Sequence, residues 1–148
     1  MKQKLNRPKA LHITLWVVQI ILGGMFIMAG IMKSSQPIID LSQAVPWAAE
    51  VPAVLVRLIG LSELLGGIGL ILPSLLRIKP ILTPIAAIGI LIIMVFALLY
   101  HISKGETDVI GINIVLGLIA AFIAWGRLKK APIHSTTNHQ DINIEKRI

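Results

Sequence analysis

Along the 148 residues, apolar positions gather into four long runs, at residues 11–32, 52–73, 80–102 and 110–126. Each approaches or exceeds the roughly 17–25 residues a helix needs to cross about 30 Å of hydrocarbon. None alternates with period two, which excludes a membrane barrel. The pattern predicts an all-α fold, a four-helix transmembrane bundle. The first run follows a basic start (Lys2, Lys4, Arg7, Lys9), as a signal peptide would. Its apolar core exceeds the roughly 7–15 residues of a signal segment, and no small-x-small cleavage pattern follows, so a retained helix is expected. Residues 1–10 form a basic N-terminus, 11–127 the membrane domain, and 128–148 a polar tail expected to be disordered.

The connections differ in kind. Residues 34–51 carry Pro37 and Pro46, apolar Ile38, Ile39 and Leu41, and Trp47, and predict a short interfacial helix or re-entrant lip. Residues 74–79 form a tight turn that makes the second and third spans antiparallel neighbours. Pro80 suits a helix start. Small residues recur at helical spacing: Gly23 and Gly30 in the first span, Gly60 and Gly67 and the Gly66/Gly69 pair in the second, Gly117, Ala120 and Ala124 in the fourth. Such faces let helices approach closely in lipid.

Composition agrees with a membrane chain, being 55% hydrophobic and only 14% charged. The fourteen Lys and Arg against seven Asp and Glu give a net charge of +7. Basic residues crowd the N-terminal flank, the second connection (Arg77, Lys79) and the end of the last span (Arg127, Lys129, Lys130). The first and third connections hold only Lys33 and Lys104. That bias predicts cytoplasmic termini in a multi-pass protein of the cell membrane. It is a topology signal, so no nucleic-acid partner is expected. The absence of cysteine removes thiol nucleophiles, disulfide exchange and thiolate metal clusters.

Glu63 stands out, a carboxylate inside an apolar span, where insertion costs roughly 2.5–3.5 kcal/mol. Intramembrane acids are candidate functional groups for that reason. It lies eleven residues past Pro52, about 16 Å along a helix and near the bilayer midplane. Arg57 is offset from it by about 120° and about 9 Å, so it is expected to reach outward to Glu50, Glu106, Asp108 or headgroups. Gln19 and Asn113 are then the expected partners of Glu63, and a protonated, neutral Glu63 is the alternative if no cation is close. Lys33, Arg57, His101, Lys104, Glu106 and Asp108 converge above it, with Trp47 at the boundary, as a ligand pocket in the outer half. His12 and His101 sit at opposite surfaces, which rules out a bis-His haem, and no zinc ligand set is present.

The segments Gly30-Ile31-Met32-Lys33, Trp47-Ala48-Ala49-Glu50-Val51-Pro52 and Arg57-Leu58-Ile59-Gly60-Leu61-Ser62-Glu63-Leu64-Leu65-Gly66-Gly67-Ile68-Gly69-Leu70 resemble DoxX-like membrane proteins. So does His101 followed by Gly105-Glu106. The resemblance spans about residues 12–127. It implies a small four-span protein, with Lys33, Glu63 and His101 at the family's recurrent polar positions. Some members of that family are associated with quinone or sulfur oxidation systems or oxidative-stress responses, and many have no established reaction. The leading expectation is an accessory or subunit of a membrane oxidoreductase that binds a small apolar or quinone-like ligand, with no covalently bound cofactor. The alternative is a structural or assembly factor for membrane partners, a homo-oligomer included. The bilayer is a partner in either case.

Overall fold

A computed structural model describes residues 7–136. All of its elements are helical: α1 (Arg7–Ser35), α2 (Ile38–Ala44), α3 (Ala53–Leu76), α4 (Leu82–Lys104) and α5 (Ile110–Trp125). Short 3₁₀ turns occupy Pro46–Ala49 and Thr107–Val109, and a π-helical turn, Gly126–Lys130, extends α5. Four helices are long and apolar enough to cross a membrane. α3 packs between α1 and α4, α4 against α5, and α5 closes the ring on α1. The residues of the expected tail beyond 136 lie outside the described part.

Packing explains why the glycines sit where they do. A side chain on Gly30 would come within 2.5 Å of the Leu64 nitrogen, and one on Gly67 within 2.6 Å of the Gly23 carbonyl. These positions bring the α1 and α3 backbones together. Gly66 and Gly69, on another face of α3, would meet Ile90 and Ala86 of α4 at 2.9 and 2.8 Å. α3 is thus glycine-lined toward both neighbours. Dispersion between close backbones takes the place of the hydrophobic drive that lipid removes. The shared core is Leu22, Phe26, Leu70, Ile90, Met94 and Ile123. Met28, Leu65, Phe96 and Leu118 point outward at 65–68% exposure, as a lipid-facing belt requires.

Helix ends depart from the expected span limits. α3 continues past Pro73 to Leu76, at the cost of the bond Pro73 cannot make. The buried Ser74 hydroxyl shares a 2.7 Å hydrogen bond with Thr83, tying α3 to the start of α4. Between them the chain reverses through Arg77 and Lys79, both in the left-handed region (φ 54° and 47°). Pro80 falls in this turn, and α4 begins at Leu82. The long first connection folds as expected into a short helix and a 3₁₀ turn. Leu41 and Ala48 bury against Val56 and seat it over the bundle.

Gly30→Ala is expected to destabilise the bundle by about 1–3 kcal/mol, because the added methyl meets backbone that cannot yield. Gly24→Ala meets open space and should be neutral or stabilising by up to about 1 kcal/mol. Thermal unfolding of the two variants in one detergent checks the contrast.

Candidate functional site

The site is built from the end of α1 and the middle of α3. Gly60 has no side chain, so the Lys33 Cβ lies where a Gly60 Cβ would come within 2.7 Å of it. The lysine stem then runs down α3 to Glu63, three residues and nearly one turn deeper. Its ammonium donates to both carboxylate oxygens, at 2.6 and 2.7 Å. Both side chains are nearly sealed, at 13% and 5% exposure. The Trp47 ring lies 5.6 Å from the ammonium, a cation–π contact that covers it from the lip.

Arg57 does not reach outward to the acids. Its guanidinium donates to the carbonyls of Lys33 (2.5 Å) and Gln36 (2.6 Å). Carbonyls at a helix C-terminus have no intrahelical donors and carry partial negative charge, so an arginine nearly two turns above Glu63 finds its partners there first. The arginine therefore fixes the end of α1 from which Lys33 hangs.

The lip is clasped to α4. Lys104 donates to Glu50 at 2.9 Å, Tyr100 donates to the same carboxylate at 3.3 Å, and the Trp47 and Tyr100 rings meet edge-on at 6.4 Å. His101 lies beside Tyr100 and pairs with Glu106 through Nδ1 at 2.6 Å. Local backbone brings that pair together. Gly105 closes α4 in the left-handed region (φ 73°), and the Glu106 N–H returns to the His101 carbonyl at 3.0 Å. Trp47 thus links Lys33–Glu63 to the His101–Glu106 side, while Asp108 stays exposed.

Gln19 and Asn113 are not the partners of Glu63. Gln19 lies toward the opposite end, donating to the Leu70 carbonyl at 2.5 Å and accepting from Arg127 at 2.9 Å. Asn113 lies in a lipid-facing groove of about 180 Å³ between α4 and α5, with Met94 and Gly117, and its amide nitrogen has no partner. Lys33 wins because α1 runs directly along α3, which puts a long cationic side chain within reach. The amides lie on other levels.

Arg127 is the residue that sequence reasoning missed. It lies at the bundle end where α1 begins and α5 ends, 4% exposed, with its guanidinium 5.2 Å from the Trp16 ring. Its Nη1 lies 3.2 Å from His12 Nδ1, while Trp16 donates to His12 Nε2 at 3.1 Å. A neutral imidazole has one unprotonated nitrogen, so His12 accepts from only one of them at a time. In the sequence Arg127 reads as a topology flank. The available signal was a polar Gln19 inside the N-terminal half of the first span, which sequence reasoning assigned to Glu63 and not to Arg127.

Lys33–Glu63 offers a hydrogen-bond donor and an acceptor side by side in an apolar wall, suited to a carbonyl or hydroxyl group. Among the described residues no group of three or more His, Asp or Glu is placed to hold a metal. Two cavities of the molecule, the α4–α5 groove and a crevice near Arg127, lie away from Glu63.

This arrangement of apolar helices around a buried ion pair defines a multi-pass helical membrane protein. The sequence matches the model of the DoxX-like family over residues 17–123, and the chain belongs to that family. No curated protein and no solved structure matches it.

Lys33→Met or Glu63→Leu alone should destabilise by about 3–5 kcal/mol, since each strands a buried charge. The double variant should recover most of that loss, and a cycle of thermal or denaturant unfolding measures the coupling. The clasp should respond to acid. Glu50's carboxyl is held below its usual range by the hydrogen bond and charge of Lys104. Its contribution is therefore present above the ordinary carboxylate pKa and is lost as pH falls through the lowered value. Trp47 fluorescence should change over that acidic interval in the native chain and not in Glu50→Gln.

Proposed function

We propose that this DoxX-like protein binds a small apolar, quinone-like ligand at the Lys33–Glu63 pair and serves as an accessory or subunit of a membrane oxidoreductase. A single observation carries the reading: a doubly hydrogen-bonded ion pair is held between two closely packed apolar helices. Well-packed apolar residues of similar volume often replace such a pair with no loss of stability. A polar ligand group explains why charge is kept there. Lys33 would donate to a ligand carbonyl, and Glu63 would orient or exchange a proton. The α2 lip, clasped through Glu50 and Trp47, would govern access. The charge bias supports cytoplasmic termini and hence a site in the outer half.

A second reading, a structural factor for membrane partners, draws on Asn113. An unpartnered amide in a lipid-facing groove suits an acceptor on another helix.

Mass spectrometry of lipid extracts from nanodisc-purified protein tests the first reading. The native chain should carry a stoichiometric quinone-like molecule that the folded Lys33→Met/Glu63→Leu variant lacks. No such molecule in either sample, or equal amounts in both, overturns it.

A further inference from the structure

The bundle end where α1 begins and α5 ends buries a charge that no acid among the described residues balances. Of the seven acids in the sequence, Asp40, Glu50, Glu63, Glu106 and Asp108 are described, and all lie on α2, the opposite connections or mid-α3. Asp141 and Glu145 lie outside the described residues. Arg127 is nevertheless buried here, and among the described residues no carboxylate pairs with it. Its polar contacts go to the neutral Gln19 amide, the Ala131 carbonyl and the His12 ring, the Trp16 face lies 5.2 Å away, and its Nη2 has no partner among the described residues. A buried cation is expensive unless an anion or several acceptors compensate it.

A crevice of about 520 Å³ opens beside it. Its polar lining is Arg127, Lys79, His134, Ser135 and Ser74, and its apolar lining includes Ile81 and Leu128. No acid lines it. Three segments therefore bring donors to one concavity: the π-helical turn, the left-handed turn at Lys79, and the stretch after Ala131. Basic pockets between spans at a cytoplasmic surface are suited to phosphate-bearing headgroups. The apolar walls would take the first part of a lipid's acyl chains.

We propose that this crevice binds a phosphate group as the counter-anion of Arg127, with Lys79 as its second cationic partner. A charge-assisted contact would use the guanidinium N–H groups that the fold leaves free. The site is distinct from Lys33–Glu63, which lies toward the opposite end of the bundle.

The test uses the full chain in phosphatidylcholine nanodiscs with and without a minority of phosphatidylglycerol, and native mass spectrometry counts the lipids retained. One phosphatidylglycerol per chain should survive, against no comparable phosphatidylcholine. Lys79→Asn keeps the left-handed turn and should weaken retention about fivefold. Arg127→Gln should weaken it at least tenfold. Because Arg127→Gln risks misfolding, the exposed Lys79 carries the decision. Inorganic phosphate is titrated in the phosphatidylcholine discs against chloride at equal ionic strength. A rise in the unfolding midpoint of the native chain but not of Lys79→Asn, without lipid retention, would assign the site to a soluble phosphate compound. Neither signal, or retention unchanged in Lys79→Asn, overturns the proposal. So does retention that emerges only in Asp141→Asn/Glu145→Gln, which would give the crevice to the chain's own acids.

Discussion

An ammonium and a carboxylate locked together inside an apolar bundle set the terms for the rest of this molecule. Lys33 and Glu63 each carry a charge that the hydrocarbon disfavours, and only their mutual contact makes either tolerable there. The contact requires α1 to lie within a glycine's width of α3, and Gly23, Gly30, Gly60 and Gly67 permit it. It requires the end of α1 to stay put, which Arg57 ensures by gripping two of its carbonyls. It also requires cover from the aqueous side, which Trp47 and the clasped lip supply.

The two ends of the bundle handle charge differently. At the lip end the lysines meet acids, Lys33 with Glu63 and Lys104 with Glu50, and His101 hydrogen-bonds Glu106. At the end where α1 begins and α5 ends, cations collect around Arg127 without a described acid. Its neighbours there are a neutral amide, an imidazole and an indole face. The same bias that orients a membrane protein thus leaves a buried guanidinium uncompensated. Stability and topology pull against each other at this point.

Much of the architecture could be read from residue order alone, because span length and apolar continuity report on the bilayer rather than on tertiary detail. The four spans, the helical lip and the glycine faces are of this kind. The cluster at the lip was legible in part, since Lys33, Trp47, His101 and Glu106 gather at the lip end of the bundle with Glu63 beneath them. The partners within it were not. Arg57 was assigned to distant acids because sequence reasoning weighs side-chain charges and overlooks the open carbonyls at a helix end. Gln19 and Asn113 were matched to Glu63 by polarity, whereas helix adjacency and level decide which groups meet. Arg127 escaped notice because a basic residue after a span is usually solvated. Only the π-helical turn, with Gly126 packed on Leu15, shows that its side chain folds back inside.

The central claim is that Lys33 and Glu63 are ionised and in contact within the bilayer. Solid-state NMR on protein labelled at lysine nitrogen and glutamate carboxyl carbon, reconstituted in lipid, reads this directly. The account predicts a strong dipolar coupling between Lys33 Nζ and the Glu63 carboxyl carbon that disappears in Glu63→Gln, together with an ionised-carboxylate shift. A protonated-acid shift with no coupling between the two sites would contradict it.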